Sequence, residues 1–145
     1  MAKEEKKGAN ARTHSAPKNI LKKSVRIPPQ SIESEQAVLG SIMLRKDAMH
    51  EVEDKVNPDS FYVEKHRIIF QAMLDLSAKN EPIDMLSLST KLSEQKLLDN
   101  IGGNVYLAEI VNVVPSSTNV KHYADIVQKK YVLRNLTLSK HHSRR

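Results

Sequence analysis

The residue types that could carry chemistry are present but scattered. His50, His66 and His122 stand singly and far apart, without the spacing that places two imidazoles on one metal ion. His141-His142 is an adjacent pair near the C-terminal end. A weak metal chelate is its functional reading and a solvated tail its plain one. The paired acids Glu53-Asp54 lack the spaced oxygen ligands of a calcium loop. Serine is frequent, but no G-x-S-x-G elbow raises one as a nucleophile. There is no cysteine, which excludes disulfides, thiolate metal sites and thiol nucleophiles and fits a reducing compartment. Gly102-Gly103 lacks the further glycine and the lysine of a phosphate-cradling loop, and reads as a tight turn before a helix. The sequence therefore predicts no catalytic residues, no metal site and no cofactor held by these residues.

The elements that would position these side chains are helical. Pro28-Pro29 holds the chain extended, because each proline also restricts the residue before it. Ser31 is a good N-cap, and Glu33 and Glu35 suit the positive end of a helix dipole. Ile32, Val38, Leu39, Ile42 and Met43 then mark an apolar face, predicting a helix over about 32–45. Gly40 interrupts it, either to admit a neighbouring helix or as a tolerated weak point costing roughly 1 kcal/mol. Asp47 is placed to cap a short second helix to Val56, before the breaker Asn57-Pro58-Asp59-Ser60. A strong stripe of Ile68, Ile69, Ala72, Met73 and Leu76 predicts a third helix over 64–78, ended by Asn80 and Pro82. Asp84 caps a fourth over 85–94, and a fifth runs over about 105–113 until Pro115. Ser116-Ser117-Thr118 offers another cap, and a last helix covers about 119–138. Six helices with short connections and no strand alternation predict a compact all-α bundle.

The net charge of +6 is unevenly spread. Residues 1–26 carry eight Lys or Arg against Glu4 and Glu5, giving +6, and 134–145 carry four bases and no acid, giving +4. The intervening body is −4, so it repels phosphate, and nucleic acid is expected to bind only weakly, through the tails. Residues 1–26 are polar and aperiodic and are expected to be a disordered basic tail, with 139–145 a second one. No apolar run approaches the ~18 residues of a membrane span, and the basic N-terminus lacks a signal peptide's apolar stretch, so the expected location is the cytoplasm without a membrane partner. One feature of the last helix exceeds ordinary need. Tyr123, Val127, Tyr131, Leu133 and Leu136 carry the apolar pattern almost to the end. That pattern is either core or an exposed stripe for a partner helix.

The run IPPQSIESEQAVLGSIML at 27–44 resembles the opening of the N-terminal domain of the bacterial replicative DNA helicases of the DnaB family. The resemblance continues in order through DSFYVEKHRIIFQAM at 59–73, EPIDMLSLSTKL at 81–92, IGGNVYLAEI at 101–110 and VPSSTNVKHYADIVQKKYVLRNL at 114–136. It implies a globular all-helical domain over 27–138, forming a collar on a hexameric ring assembled as a trimer of dimers. Implied partners are other helicase subunits, primase and, in some systems, a helicase loader, within a replisome associated with the nucleoid. The family's motor is a separate RecA-like ATPase domain that uses ATP and magnesium, and no position here matches its phosphate loop. In the family the last helix continues into a helical hairpin, so Tyr123, Val127, Tyr131, Leu133 and Leu136 become the expected partner interface. A small nucleic-acid-binding accessory protein and a truncated helicase regulator are the alternative readings.

Overall fold

The computed structural model describes residues 27–115 and 119–143, with side chains of the final helix described through Thr137. Among these residues there are six α-helices and no strand: α1 (Ile32–Leu44), α2 (Ala48–Val52), α3 (Glu64–Ala78), α4 (Met85–Glu94), α5 (Gly103–Val113) and α6 (Val120–Ser143). Single 3-10 turns at Pro58–Ser60 and Asp99–Ile101 precede α3 and α5. The expected tail at 1–26 and the expected cap at Ser116-Ser117-Thr118 lie outside the described residues. The helix of α6 runs to Ser143, five residues past its expected end at Leu138.

α1 is the central helix and packs against α3, α5 and α6. Its start follows the local signals, with the Ser31 hydroxyl accepting from the Ser34 N–H at 3.3 Å. Its burial exceeds a single face, since every residue from Ala37 to Met43 is buried. Ile32, expected on the inner face, is instead 43% exposed, while Ser34 and Glu35 in the same turn are buried. Gly40 marks the closest approach. A Cβ there would lie 2.2 Å from Val114 Cγ2 and 2.8 Å from the Ile110 carbonyl oxygen, so α5 crosses α1 at a contact only glycine admits.

α2 is shorter than expected. Asp47 has helical rather than extended backbone angles and makes no capping bond, and the chain turns after Val52. Val56 is still buried, delivered by that turn rather than by a helix. α3 and α4 fall at their expected limits. The Asp84 carboxylate accepts from the Ser87 N–H at 2.8 Å to start α4. α3 and α4 end in the same way, with Asn80 and Lys96 in left-handed conformation at φ 59° and 61°. Each is followed by an N–H that reaches back to a helix carbonyl, Glu81 to Leu76 at 2.9 Å and Leu97 to Leu92 at 2.8 Å. Gly102 takes φ 103° in the turn before α5. The core that results is mainly aliphatic, with Phe61 and Phe70 fully buried and their ring centroids 5.1 Å apart.

Candidate interaction surface

Much of the polar machinery of the domain is internal. Glu35, in the second half-turn of α1, is 1% exposed, and His66, in the first turn of α3, is wholly buried. Glu35 Oε1 lies 2.7 Å from His66 Nδ1, and Oε2 accepts from the Tyr62 N–H at 2.6 Å. The Val63 N–H adds a bond at 3.3 Å. The carboxylate therefore sits on backbone donors at the start of α3, where the helix dipole favours negative charge. His66 Nε2 lies 2.5 Å from the Tyr106 hydroxyl, which accepts from Gln36 Nε2 at 3.2 Å. One assignment of protons satisfies every group: Gln36 donates to Tyr106, Tyr106 donates to His66 Nε2, and His66 Nδ1–H donates to Glu35. Burial pushes the Tyr106 phenol above its ordinary pKa. The Gln36 bond opposes that shift, while the charges of Glu109 and Glu35 reinforce it. The relay ties α1, α3 and α5 together with all three of its members buried, and we read it as a structural fastening.

A second fastening holds α6. Arg134 donates to the Pro29 carbonyl at 2.7 Å and to the Ser60 carbonyl at 2.9 Å. Ser60 Oγ donates to Gln128 Oε1 at 3.1 Å, so one short turn grips α6 at two places. Burial lowers the Arg134 pKa from its ordinary value, and Arg67 pushes the same way, against Glu35, Tyr62 and Tyr131. Arg67 itself donates to the carbonyls of Phe61 and Tyr62, each at 2.9 Å.

The expected interface residues divide along α6. Val120, Ala124 and Val127 belong to the core, so Val127, at 2% exposure, is withdrawn from the surface. The reason is register: it lies two turns after Val120 on the side facing α1. Tyr123 packs against the edge of that core, and Tyr131 is half-buried. Leu133 and Leu136 face solvent, at 42% and 58% exposure, joined by Val132 at 44%. These three share a face at helical spacing and form an exposed apolar patch beyond the Arg134 fastening.

The other candidates stay apart. His50 is exposed and pairs with Glu53 at 3.2 Å, while His122 packs edge-on to the Tyr123 ring. His141-His142 have no described side chains. Among the described residues no group of three potential metal ligands converges. A groove of about 580 Å³ between α1, α2 and the α3–α4 connection is lined by Met43, Lys46, Met49, His50, Glu81 and Ile83, among others. No described helix is long and apolar enough to cross a membrane. No local pattern marks the Glu35–His66–Tyr106 relay, whose members are 31 and 40 residues apart.

An all-helical domain with polar fastenings inside and an apolar helix end outside is what these elements define. The chain belongs to the DnaB-like helicase N terminal domain family, whose model matches residues 27–129. It is 43% identical over 111 residues to the replicative DNA helicase DnaC of Bacillus subtilis, a match covering 77% of this chain and 24% of that protein. It is 44% identical over 113 residues to the replicative DNA helicase DnaB of Geobacillus stearothermophilus, covering 78% and 25%. The chain thus spans about a quarter of the length of the curated relatives it matches. The crystal structure of the N-terminal domain of DnaB helicase from Mycobacterium tuberculosis is similar at a TM-score of 0.77 and 37% identity, over 79% of this chain and 83% of that one. A DnaB-like replicative helicase, described with its interactions with primase, is similar at a TM-score of 0.68 and 29% identity, over 77% of this chain and 26% of that one.

Proposed function

We propose that these residues form the collar domain of a replicative DNA helicase and act through protein contacts: pairing with other helicase subunits, and binding primase and a helicase loader. The observation that carries this reading is the division of α6. Its first turns fill the core, and the helix then continues outward with Val132, Leu133 and Leu136 uncovered. A helix that outruns its own core with an apolar face suits another helix laid alongside it. The structural likeness to a helicase described with primase supports primase as one partner. In this reading the 145 residues hydrolyse no ATP and hold no magnesium, both of which belong to the family's motor, and the setting is the cytoplasmic replisome.

The test is sedimentation velocity of the chain alone and with primase, for the wild type and for Leu133→Asp/Leu136→Asp. Both leucines are exposed, so the fold survives and an unchanged melting temperature verifies it. The wild type is expected to self-associate and to co-sediment with primase, and the variant to lose both. A wild type that stays monomeric at about 100 µM and ignores primase at that concentration refutes the reading, since even weak specific interfaces act in the micromolar range.

A further inference from the structure

Two exposed helix faces of the domain complement each other, and neither matches itself. On α6, Lys129, Val132, Leu133 and Leu136 recur at i, i+3, i+4 and i+7 and so share one face. All four are exposed. Arg134 stands two residues, or about 200° around the helix, from both Val132 and Leu136. Its bonds to the Pro29 and Ser60 carbonyls hold that side of the helix against the body, which turns the stripe outward. On α5, Tyr106, Leu107 and Ile110 fill the core. The outer face presents Val105, Glu109 and Val113, spaced at i, i+4 and i+8. Val105 is 76% exposed and Val113 56%, and Glu109 between them is exposed as well. Lys129, Lys130 and Glu109 form no ion pair among the described residues. The two stripes are also of similar length, about 10 Å on α6 and about 12 Å on α5 at the helical rise per residue.

We propose that the α6 stripe of one copy of this chain docks on the α5 stripe of a second copy, the apolar side chains packing together while Lys129 and Lys130 meet Glu109. The inference rests on the collar reading and names the surface that receives α6 when subunits pair. Charge selects the occupant. From Ile126 to Ser143 the chain carries Lys129, Lys130, Arg134 and Lys140 and no acid. Two α6 stripes laid parallel put Lys129 beside Lys129, and laid antiparallel they put it beside the stretch that holds Lys140. Two α5 stripes put Glu109 against Glu109. Like charges so placed oppose association, whereas the unlike pairing sets base against acid. The spacing agrees. With Lys129 opposite Glu109, one helical turn further on brings Leu133 opposite Val105 in an antiparallel arrangement and opposite Val113 in a parallel one.

The experiment is sedimentation velocity of the full chain at up to about 100 µM. It compares the wild type, Val105→Asp/Val113→Asp, Leu133→Asp/Leu136→Asp and an equimolar mixture of the two variants. The replaced residues are all exposed, so melting is expected to stay that of the wild type. Each variant alone lacks one half of the contact and is expected to be monomeric. The mixture keeps one intact α5 stripe and one intact α6 stripe and is expected to form a one-to-one dimer. Glu109→Lys and Lys129→Glu/Lys130→Glu should each weaken association about fivefold, and their combination in one chain should return it to within about twofold of the wild type. These reversals leave the apolar packing alone and decide the question if an aspartate pair proves unfolded. The contact is overturned if Val105→Asp/Val113→Asp associates as the wild type does, a result that leaves the collar reading intact. It is equally overturned by a mixture that stays monomeric, or by a charge-swapped chain that associates no better than its single reversals. A wild type that stays monomeric also refutes it, and co-sedimentation with primase in the same run then tells whether the collar reading survives.

Discussion

Removing the Tyr106 hydroxyl isolates one bond of the buried relay. Tyr106→Phe keeps the ring, the helix and the packing, and deletes only the donor to His66 Nε2. Gln36 also loses its acceptor, but it is half-buried and can turn to water. His66 cannot, because it is wholly buried and its other nitrogen is held by Glu35 at 2.7 Å. The cost is therefore that of one unsatisfied buried acceptor, about 1–3 kcal/mol. For a domain of this size that lowers the melting temperature by roughly 4–15 °C. Urea titration and calorimetry at neutral pH measure it, with Gln36→Ala as a control expected within about 0.5 kcal/mol of the wild type. The relay has an alkaline signature as well. Burial raises the Tyr106 pKa in the folded state. The unfolded chain therefore releases this proton first, near its ordinary value of about 10, and stability falls as pH rises from there towards the folded value. Tyr106→Phe should lose less stability over that alkaline window than the wild type does. A variant as stable as the wild type at neutral pH, with an identical alkaline profile, refutes the proton assignment that joins Tyr106 to His66.

Other outcomes follow from single contacts. Gly40→Ala should destabilise by about 1–3 kcal/mol despite the better helix propensity of alanine, and Val114→Ala should restore only part of it, since the Ile110 carbonyl remains 2.8 Å from the added carbon. Chemical denaturation of the three proteins decides this. Lys96→Gly relieves a left-handed lysine at φ 61° and should raise the unfolding free energy measured in urea, by up to about 1 kcal/mol after the extra freedom of glycine in the unfolded chain is deducted. Arg134→Ala frees two carbonyls, at Pro29 and Ser60, and should speed hydrogen exchange in the second half of α6 while leaving α3 and α4 unchanged. Arg134→Lys should rescue little of this, because an ammonium lacks the planar fork that spans two acceptors.

Where residues act on near neighbours, the sequence was mostly enough, Asp47 being the exception because it takes helical angles and makes no capping bond. Ser31 and Asp84 cap the helices they precede, and the limits of α3 and α4 follow from apolar spacing and flanking breakers. Reading failed where a side chain answers to a distant partner. Glu35 stands in the position of a dipole-compensating acid, and its actual partners, Tyr62, Val63 and His66, arrive 27 to 31 residues later. His66 looks isolated because its second partner is 40 residues on. The α6 stripe was legible as apolar, but periodicity cannot say where a core ends. Val127 lies inside and Leu133 outside because α1 and the Pro58–Ser60 turn cover only the first part of the helix. Gly40 left two readings open until Val114 was seen against it.

The central place of α1 has a consequence for synthesis. It is the first described helix to leave the ribosome, yet its buried surface is covered largely by α5 and α6. Some eighty residues separate the end of α1 from the core-facing turns of α6, Val120 to Val127. At about 5–20 residues per second, the ribosome takes roughly 4–16 s to supply that cover. During that interval Val38, Leu39, Ile42 and Met43 have only part of their final surroundings. The nascent chain therefore presents a sticky, nearly uncharged segment for seconds before it can close. Slow codons between positions 45 and 120 would lengthen that exposure and raise the demand for chaperones, without altering a single residue of the finished domain.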